Sequence, residues 1–198
     1  MEVLQTSALP LGYVAARSEL DSTFAGFRAT RTARLSGDVP NAEFRDVMAR
    51  VPAGVVIVSA RGAHDTRGFR GLTASSLASI SLDPPIVVVG LERHAATTAA
   101  VVDARAFNVN VLTRSQEFLA DRFAGRAPAV DGSWKDVPHR LGANDLPLIE
   151  GCAAWLECRL VEVHELGDHD LCVGEVVEAL AGAGDPLVLW DRAFWTLR

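Results

Sequence analysis

Residues Gly71-Leu72-Thr73-Ala74-Ser75-Ser76, followed closely by Ser79-x-Ser81-Leu82-Asp83-Pro84-Pro85, gather short hydroxyl side chains and a glycine beside a rigid Pro-Pro step. Small side chains leave backbone amides open to a ligand, and the prolines stiffen the entry to the apolar run at 86–89. Thr73, Ser75 and Ser76 can donate O–H bonds to phosphate oxygens, and neighbouring N–H groups can do so without adding bulk. The combination suits a polar, phosphate-bearing ligand held against a β-barrel wall. Small hydroxyl residues also sit on strands simply to satisfy turns, so the segment alone leaves both readings open.

Two further groupings could meet a ligand. Glu92-Arg93-His94-Ala95-Ala96-Thr97-Thr98 sets a cation, an imidazole and two hydroxyls at an expected helix start, where unpaired amides attract anions. An ordinary capped turn is the competing reading. Gly167-Asp168-His169 falls at an expected strand-to-strand turn; glycine and aspartate follow from turn chemistry, which leaves His169 as the surplus group, a ligand contact or an idle surface imidazole. No GxSxG elbow, Rossmann glycine fingerprint or Walker loop occurs, so any nucleotide must bind on a different scaffold. Cys152, Cys158 and Cys172 lack CxxC spacing, which points to buried free thiols rather than a metal site.

Elements must hold these groups in place. Asn41 offers an N-cap for a short helix whose Phe44, Val47, Met48 and Val51 form one apolar face that docks, with Pro52 as its stop. The β-branched run at 55–60 reads as a strand, and the loop at 61–68 returns the chain toward Gly71 as a hairpin. Further strands are expected at 86–91 and at 107–112, where apolar residues alternate with Asn108 and Asn110. Between them, Thr97 or Thr98 caps a short helix through Ala104; Ser115 caps another that ends at Gly125. Residues 128–147, around Trp134, read as a long surface excursion. Strands at 153–165, 171–180 and 186–190 complete six or seven antiparallel strands with few helices and no βαβ repeat, hence a small closed or split barrel.

Composition bounds the class. With 198 residues, 49% of them apolar, the chain can bury a substantial core. The expected organisation is an N-terminal arm over residues 1–40 and one domain over residues 41–198. A net charge of −6, with Lys135 the only lysine and no basic cluster, argues against nucleic acid as a partner. Charges or glycines interrupt every apolar run, so no membrane span and no signal peptide are expected, and the expected location is the cytoplasm.

The ordered segments Phe44-Arg45-x-Val47-Met48, Pro52-x-Gly54-Val55, the Gly71–Ser76 and Ser79–Pro85 stretches, Phe107-x-Val109-Asn110-Val111-Leu112, Leu119-Ala120-x-x-Phe123-Ala124-Gly125, and Gly167-Asp168-His169 with Gly174-x-Val176 cover about residues 41–197. Together they resemble the flavin reductase family of FMN-binding split barrels, the reductase components of two-component flavin-dependent monooxygenases. The resemblance implies a mainly β fold, an antiparallel, Greek-key-like split barrel with a few short flanking helices. It implies an NAD(P)H:flavin oxidoreductase, a homodimer, that reduces FMN or FAD with NADH or NADPH and hands free reduced flavin to a separate oxygenase. Carried over by motif, Phe69, Arg70, Gly71, Leu72, Thr73, Ala74, Ser75, Ser76 and Ser81 would line the flavin. Gly90, Leu91, Glu92, Ala96 and Thr97 would meet its phosphate or adenylate end, Arg122 and Phe123 would close over it, and His169 would lie near the nicotinamide. Two departures stand out: an N-terminal arm longer than usual, and Trp190-Asp191-Arg192-Ala193-Phe194 in place of a tyrosine-containing ending. A split-barrel oxidase with tightly held FMN, or a non-catalytic flavin or haem carrier, are the alternatives on the same scaffold. Hydride transfer between stacked rings asks the protein for positioning and charge stabilisation, so no single catalytic side chain is expected.

Overall fold

A computed structural model describes residues 39–62, 68–126 and 134–197. The arm expected over residues 1–40 lies outside these except for Val39 and Pro40. The main sheet contains β2 (Val56–Arg61), β3 (Phe69–Ala74), β4 (Ala78–Leu82), β5 (Pro85–Glu92), β6 (Ala106–Val111), β9 (Ala154–Leu166) and β10 (His169–Ala181). Its order is β3-β2-β6-β9-β10-β5-β4 and every pairing is antiparallel. Smaller sheets join β1 (Ala53–Gly54) to β11 (Leu187–Trp190) and β12 (Ala193–Thr196), and β7 (His139–Leu141) to β8 (Pro147–Ile149).

Strand order alone requires a barrel. β3 and β4 are opposite edges of the sheet, yet only Ser75, Ser76 and Leu77 separate them. Seven flat strands would set their edges about 29 Å apart, whereas the four Cα steps from Ala74 to Ala78 reach about 14 Å at most. The sheet therefore curls until its edges face one another, and since β3 and β4 do not pair, the barrel is split along that seam. Val56, Val58, Val87, Val89, Leu91, Phe107, Val109 and Leu160 fill its interior together with Ala100 and Val101 of α2 (Ala96–Ala104). The expected antiparallel barrel with few short helices is what forms.

A second core lies on the other face of β2 and β6. Val55, Ile57, Leu112, Ile149 and Leu187 meet Ala120 and Phe123 of α3 (Glu117–Phe123) and Trp134. This corrects the expectation of a surface excursion around Trp134: its side chain is only 9% exposed, and Val137, Leu146, Leu148 and Ile149 are buried with it. Asn108 and Asn110 explain how the excursion is held. Both are fully buried; Asn108 donates to the Leu146 carbonyl at 3.2 Å, Asn110 accepts from the Ile149 amide at 2.7 Å, and Ser59 donates to the Pro147 carbonyl at 2.9 Å. Polar residues alternating on a central strand here mark a second buried face rather than a wet one.

Three local expectations also differ. Asn41 opens helix α1 (Asn41–Met48) as its first residue and provides no side-chain cap; Phe44 N–H instead bonds the Pro40 carbonyl at 3.0 Å. The helix's apolar face does not dock within the described residues, since Phe44 and Val47 are 58% and 60% exposed. The helix is held from one end, by the Asp191 amide on the Ala49 carbonyl and an Asp46–Arg192 ion pair. Thr97 and Thr98 sit inside the first turn of α2 and are buried, with Thr98 Oγ1 donating back to the Glu92 carbonyl at 2.7 Å. Ser115 is not the cap before α3: Thr113 and Gln116 form a reciprocal capping box across the short 3-10 turn Arg114–Gln116.

Candidate functional site

β5 serves as a ruler for the site. At Gly90 the partner strand β4 has already ended, its last pair on that side being Ala78 with Val88. Ser76 takes over: its Oγ donates to the Gly90 carbonyl at 2.9 Å and accepts from the Gly90 amide at 3.0 Å. One hydroxyl thus stands in for a ladder residue and pins the seam of the barrel. Two residues further on, about 7 Å along the strand, Glu92 pairs with His169 across β10. Its carbonyl receives the Ala95 amide and the Thr98 hydroxyl, which fixes the entry to α2 and so the positions of Ala96 and Thr97. Ser76, Gly90, Glu92 and His169 therefore gather at the end of β5, with Ser75 and Ala96 close to them in sequence and exposed, whereas the expected Leu91 and Thr97 have their side chains buried.

The clamp leaves donors facing outward. Ser75 and Ser76 are exposed, and among the described residues no hydrogen bond takes their amides or the Ser75 hydroxyl. These groups could hold the polar rim of a flavin.

Alternation splits the rest of the expected set. Leu72 and Ala74 pack toward the barrel interior; by the same two-residue period Arg70 shares their face. Phe69, Gly71 and Thr73 face the second core. Thr73 Oγ1 donates to the Ala120 carbonyl at 2.7 Å, which ties α3 to β3. Gly71 is glycine because a Cβ there would stand 2.6 Å from the Phe123 ring and 3.3 Å from Trp134. Phe69 and Trp134 meet edge to face at 6.1 Å between centroids, and the Arg61 guanidinium lies 4.8 Å over Phe69. Arg122 is buried beside this wall and donates to the Lys135 carbonyl at 2.8 Å. Phe123 belongs to the second core, which contains no residue of β5. Ser81 is half-buried opposite Ile86, about 13 Å along β5 from Gly90.

The turn that carries His169 is two residues long, Gly167 and Asp168, with Gly167 at φ +61°. His169 Nδ1 lies 2.8 Å from Asp168 Oδ1. That hydrogen bond holds the Asp168 carboxyl below its usual range, and in the neutral imidazole it keeps the proton on Nδ1, so that Nε2 is presented as an acceptor. Sequence reasoning passed over Arg93 as anything but a phosphate contact. Its amide donates to the Asp168 carbonyl at 3.0 Å, Nε to Asp170 Oδ1 at 2.9 Å and Nη2 to the His169 carbonyl at 3.3 Å, with Glu165 at 3.7 Å. The available signal was charge order, a lone arginine opposite Glu165, Asp168 and Asp170.

Burial pushes the Cys152 and Cys158 thiols up to about 12 and Cys172 to about 11, which leaves them protonated and inert near neutrality. Among the described residues no three His, Cys, Asp or Glu side chains group as a metal site. An open hollow of about 570 Å³ lined by Thr113, Arg114, Ser115, Gly151, Gly184 and Asp185 shares no residue with the β5 cluster.

The flavin reductase like domain model matches residues 48–198. The reductase component of a 4-nitrophenol 4-monooxygenase/4-nitrocatechol 2-monooxygenase from Rhodococcus opacus is 41% identical over 155 residues, 77% of this chain and 79% of that protein. The NADH-dependent FMN reductase SmoA of Agrobacterium fabrum is 34% identical over 151 residues, covering 76% and 83%. Among solved structures, the NADH:FAD oxidoreductase SgcE6 of Streptomyces globisporus C-1027 superposes with a TM-score of 0.73 at 32% identity, over 84% of this chain and 99% of that one. With the family model spanning well over half of its length and relatives above 30% identity along most of theirs, the chain belongs to the flavin reductase like domain family.

Proposed function

We propose that this protein is an NADH-dependent flavin reductase whose reduced flavin serves a separate oxygenase. The observation that carries this reading is the Ser76–Gly90 clamp, which fixes a row of open amides beside the strand end that bears His169. The relatives support it: SmoA is named an NADH-dependent FMN reductase, and the Rhodococcus opacus protein a monooxygenase reductase component. A homodimer built from the domain at residues 41–198, with residues 1–40 as an arm, completes the proposal.

When bound, flavin would supply the two-electron acceptor for hydride from the dihydronicotinamide, and the one proton that completes its reduction would come from solvent. The chain's own contribution is placement and charge. Amides at Ser75 and Ser76 donate where negative charge accumulates, without reorganising, because the clamp already holds them. His169, with Nδ1 engaged by Asp168, offers Nε2 to a carboxamide N–H at the nicotinamide and so sets the stacking register.

Steady-state oxidation of NADH, and in parallel of NADPH, with added FMN or FAD tests the reading. Consumption of a nicotinamide with flavin lost freely on dialysis is expected. Absence of consumption with either flavin would remove it, and colour retained through dialysis would identify a prosthetic-flavin oxidase or carrier instead.

A further inference from the structure

Arg93 touches every residue of the 168–170 segment, one through its backbone and two through its side chain. Its amide binds the Asp168 carbonyl, its Nη2 the His169 carbonyl and its Nε the Asp170 carboxylate. It also belongs to the loop that leads from β5 into α2, where Glu92 receives Ala95 and Thr98. By strand parity Arg93 and Asp170 lie on the core-side face, beyond Leu91 and Cys172, while His169 lies on the opposite face beside Glu92. The arginine thus braces the backbone of His169 from behind.

Resting on the flavin reductase reading, we propose that Arg93 is a positioning residue for nicotinamide: it fixes the His169 backbone so that the imidazole meets the carboxamide, and it contacts neither flavin nor nicotinamide itself. The planar guanidinium is what the geometry needs, since Nε and Nη2 reach two different acceptors at once. Lysine presents a single ammonium and can serve only one of them. With the side chains of Arg93 and Asp170 29% and 13% exposed, solvent screens the pair, so its effect belongs to orientation more than to stability.

The experiment compares R93Q, R93K, D170N, H169A and the double variant R93Q/H169A in steady-state NADH oxidation, with flavin affinity read separately by fluorescence titration. R93Q, R93K and D170N should each raise the KM for NADH about tenfold while kcat and flavin Kd stay within about twofold. In the H169A background, R93Q should add nothing. A merely structural arginine would lower the melting temperature and weaken flavin binding, and its effect would persist without the imidazole. D170N strips the charge that strengthens the same contact from the other side, should R93Q fail to fold. Raised KM in H169A with wild-type KM in R93Q and D170N would overturn the Arg93 role alone. Additive effects in the double variant, or a raised flavin Kd in R93Q, would overturn it too. An unchanged KM in H169A would overturn this proposal together with the placement of nicotinamide, while NADH oxidation by the wild type would still uphold the reductase reading.

Discussion

Ser76 is where the proposed chemistry meets the architecture, because its Oγ closes the barrel seam on Gly90 beside the amides proposed to meet flavin. S76A removes both of its bonds to Gly90 and should cost about 1–2 kcal/mol of stability, at roughly 0.5–1.5 kcal/mol net for each. S76L should cost little more, since the side chain is exposed, but it should raise the flavin Kd about tenfold by filling ligand space. Flavin titration beside thermal melts separates the two effects, and a melt shift with unchanged flavin Kd would leave Ser76 purely architectural. The cysteines give a pH prediction. Each folded thiol titrates above its ordinary value near 9, up to about 11 for Cys172 and about 12 for Cys152 and Cys158, so the native state holds protons that the unfolded chain has released. Stability from these three groups is whole below about pH 9 and falls between there and about pH 12. Denaturant melts at pH 8 and 10.5 should show the loss, and a thiol reagent at pH 8 should react only after unfolding.

Which elements were legible from sequence followed from how each is buried. β2 and β5 are runs of β-branched residues, β6 alternates apolar residues with asparagine, and β9 and β10 are long enough to declare themselves, so the barrel could be read directly. β12, Ala193-Phe194-Trp195-Thr196, is too short and too exposed to stand out, and the β7–β8 hairpin is held by buried asparagines that a hydropathy pattern scores as wet. Trp134 was misplaced for a related reason: its burial depends on a space that a distant glycine leaves open. Gly71 on β3 has no side chain, and the Phe123 ring and Trp134 occupy the room. G71A should therefore destabilise the protein by about 1–3 kcal/mol through overpacking. In the G71A/F123L double variant the smaller side chain should recover part of that loss. A G71A protein as stable as wild type would show that α3 shifts freely over β3, and with it that the Thr73–Ala120 bond is not a firm anchor.

At the scale of the whole molecule, curling a seven-stranded sheet brings Ser76, Gly90 and His169 together although the first and the last stand 93 positions apart in sequence. Motif order could name these residues but not their spacing along β5, which depends on strand register. Curling also leaves β4 as an edge beside the seam. Its Ile80 and Leu82 are 58% and 87% exposed, and among the described residues β4 pairs on one side only, with β5. An unpaired, apolar edge exposed to water invites uncontrolled strand addition unless something covers it. A second copy of this chain is the covering that the proposed homodimer supplies. Light scattering on the eluting protein should then give twice the mass of one chain. Because Leu82 makes so little contact within its own chain, L82D should leave the melting of a monomer nearly unchanged, within about 0.5 kcal/mol. In a dimer that buries this edge, the same change places an unpaired carboxylate in an apolar interface and should shift the mass toward one chain. A dimer that survives L82D would move the interface away from β4, and wild-type protein at the mass of one chain would end the homodimer proposal.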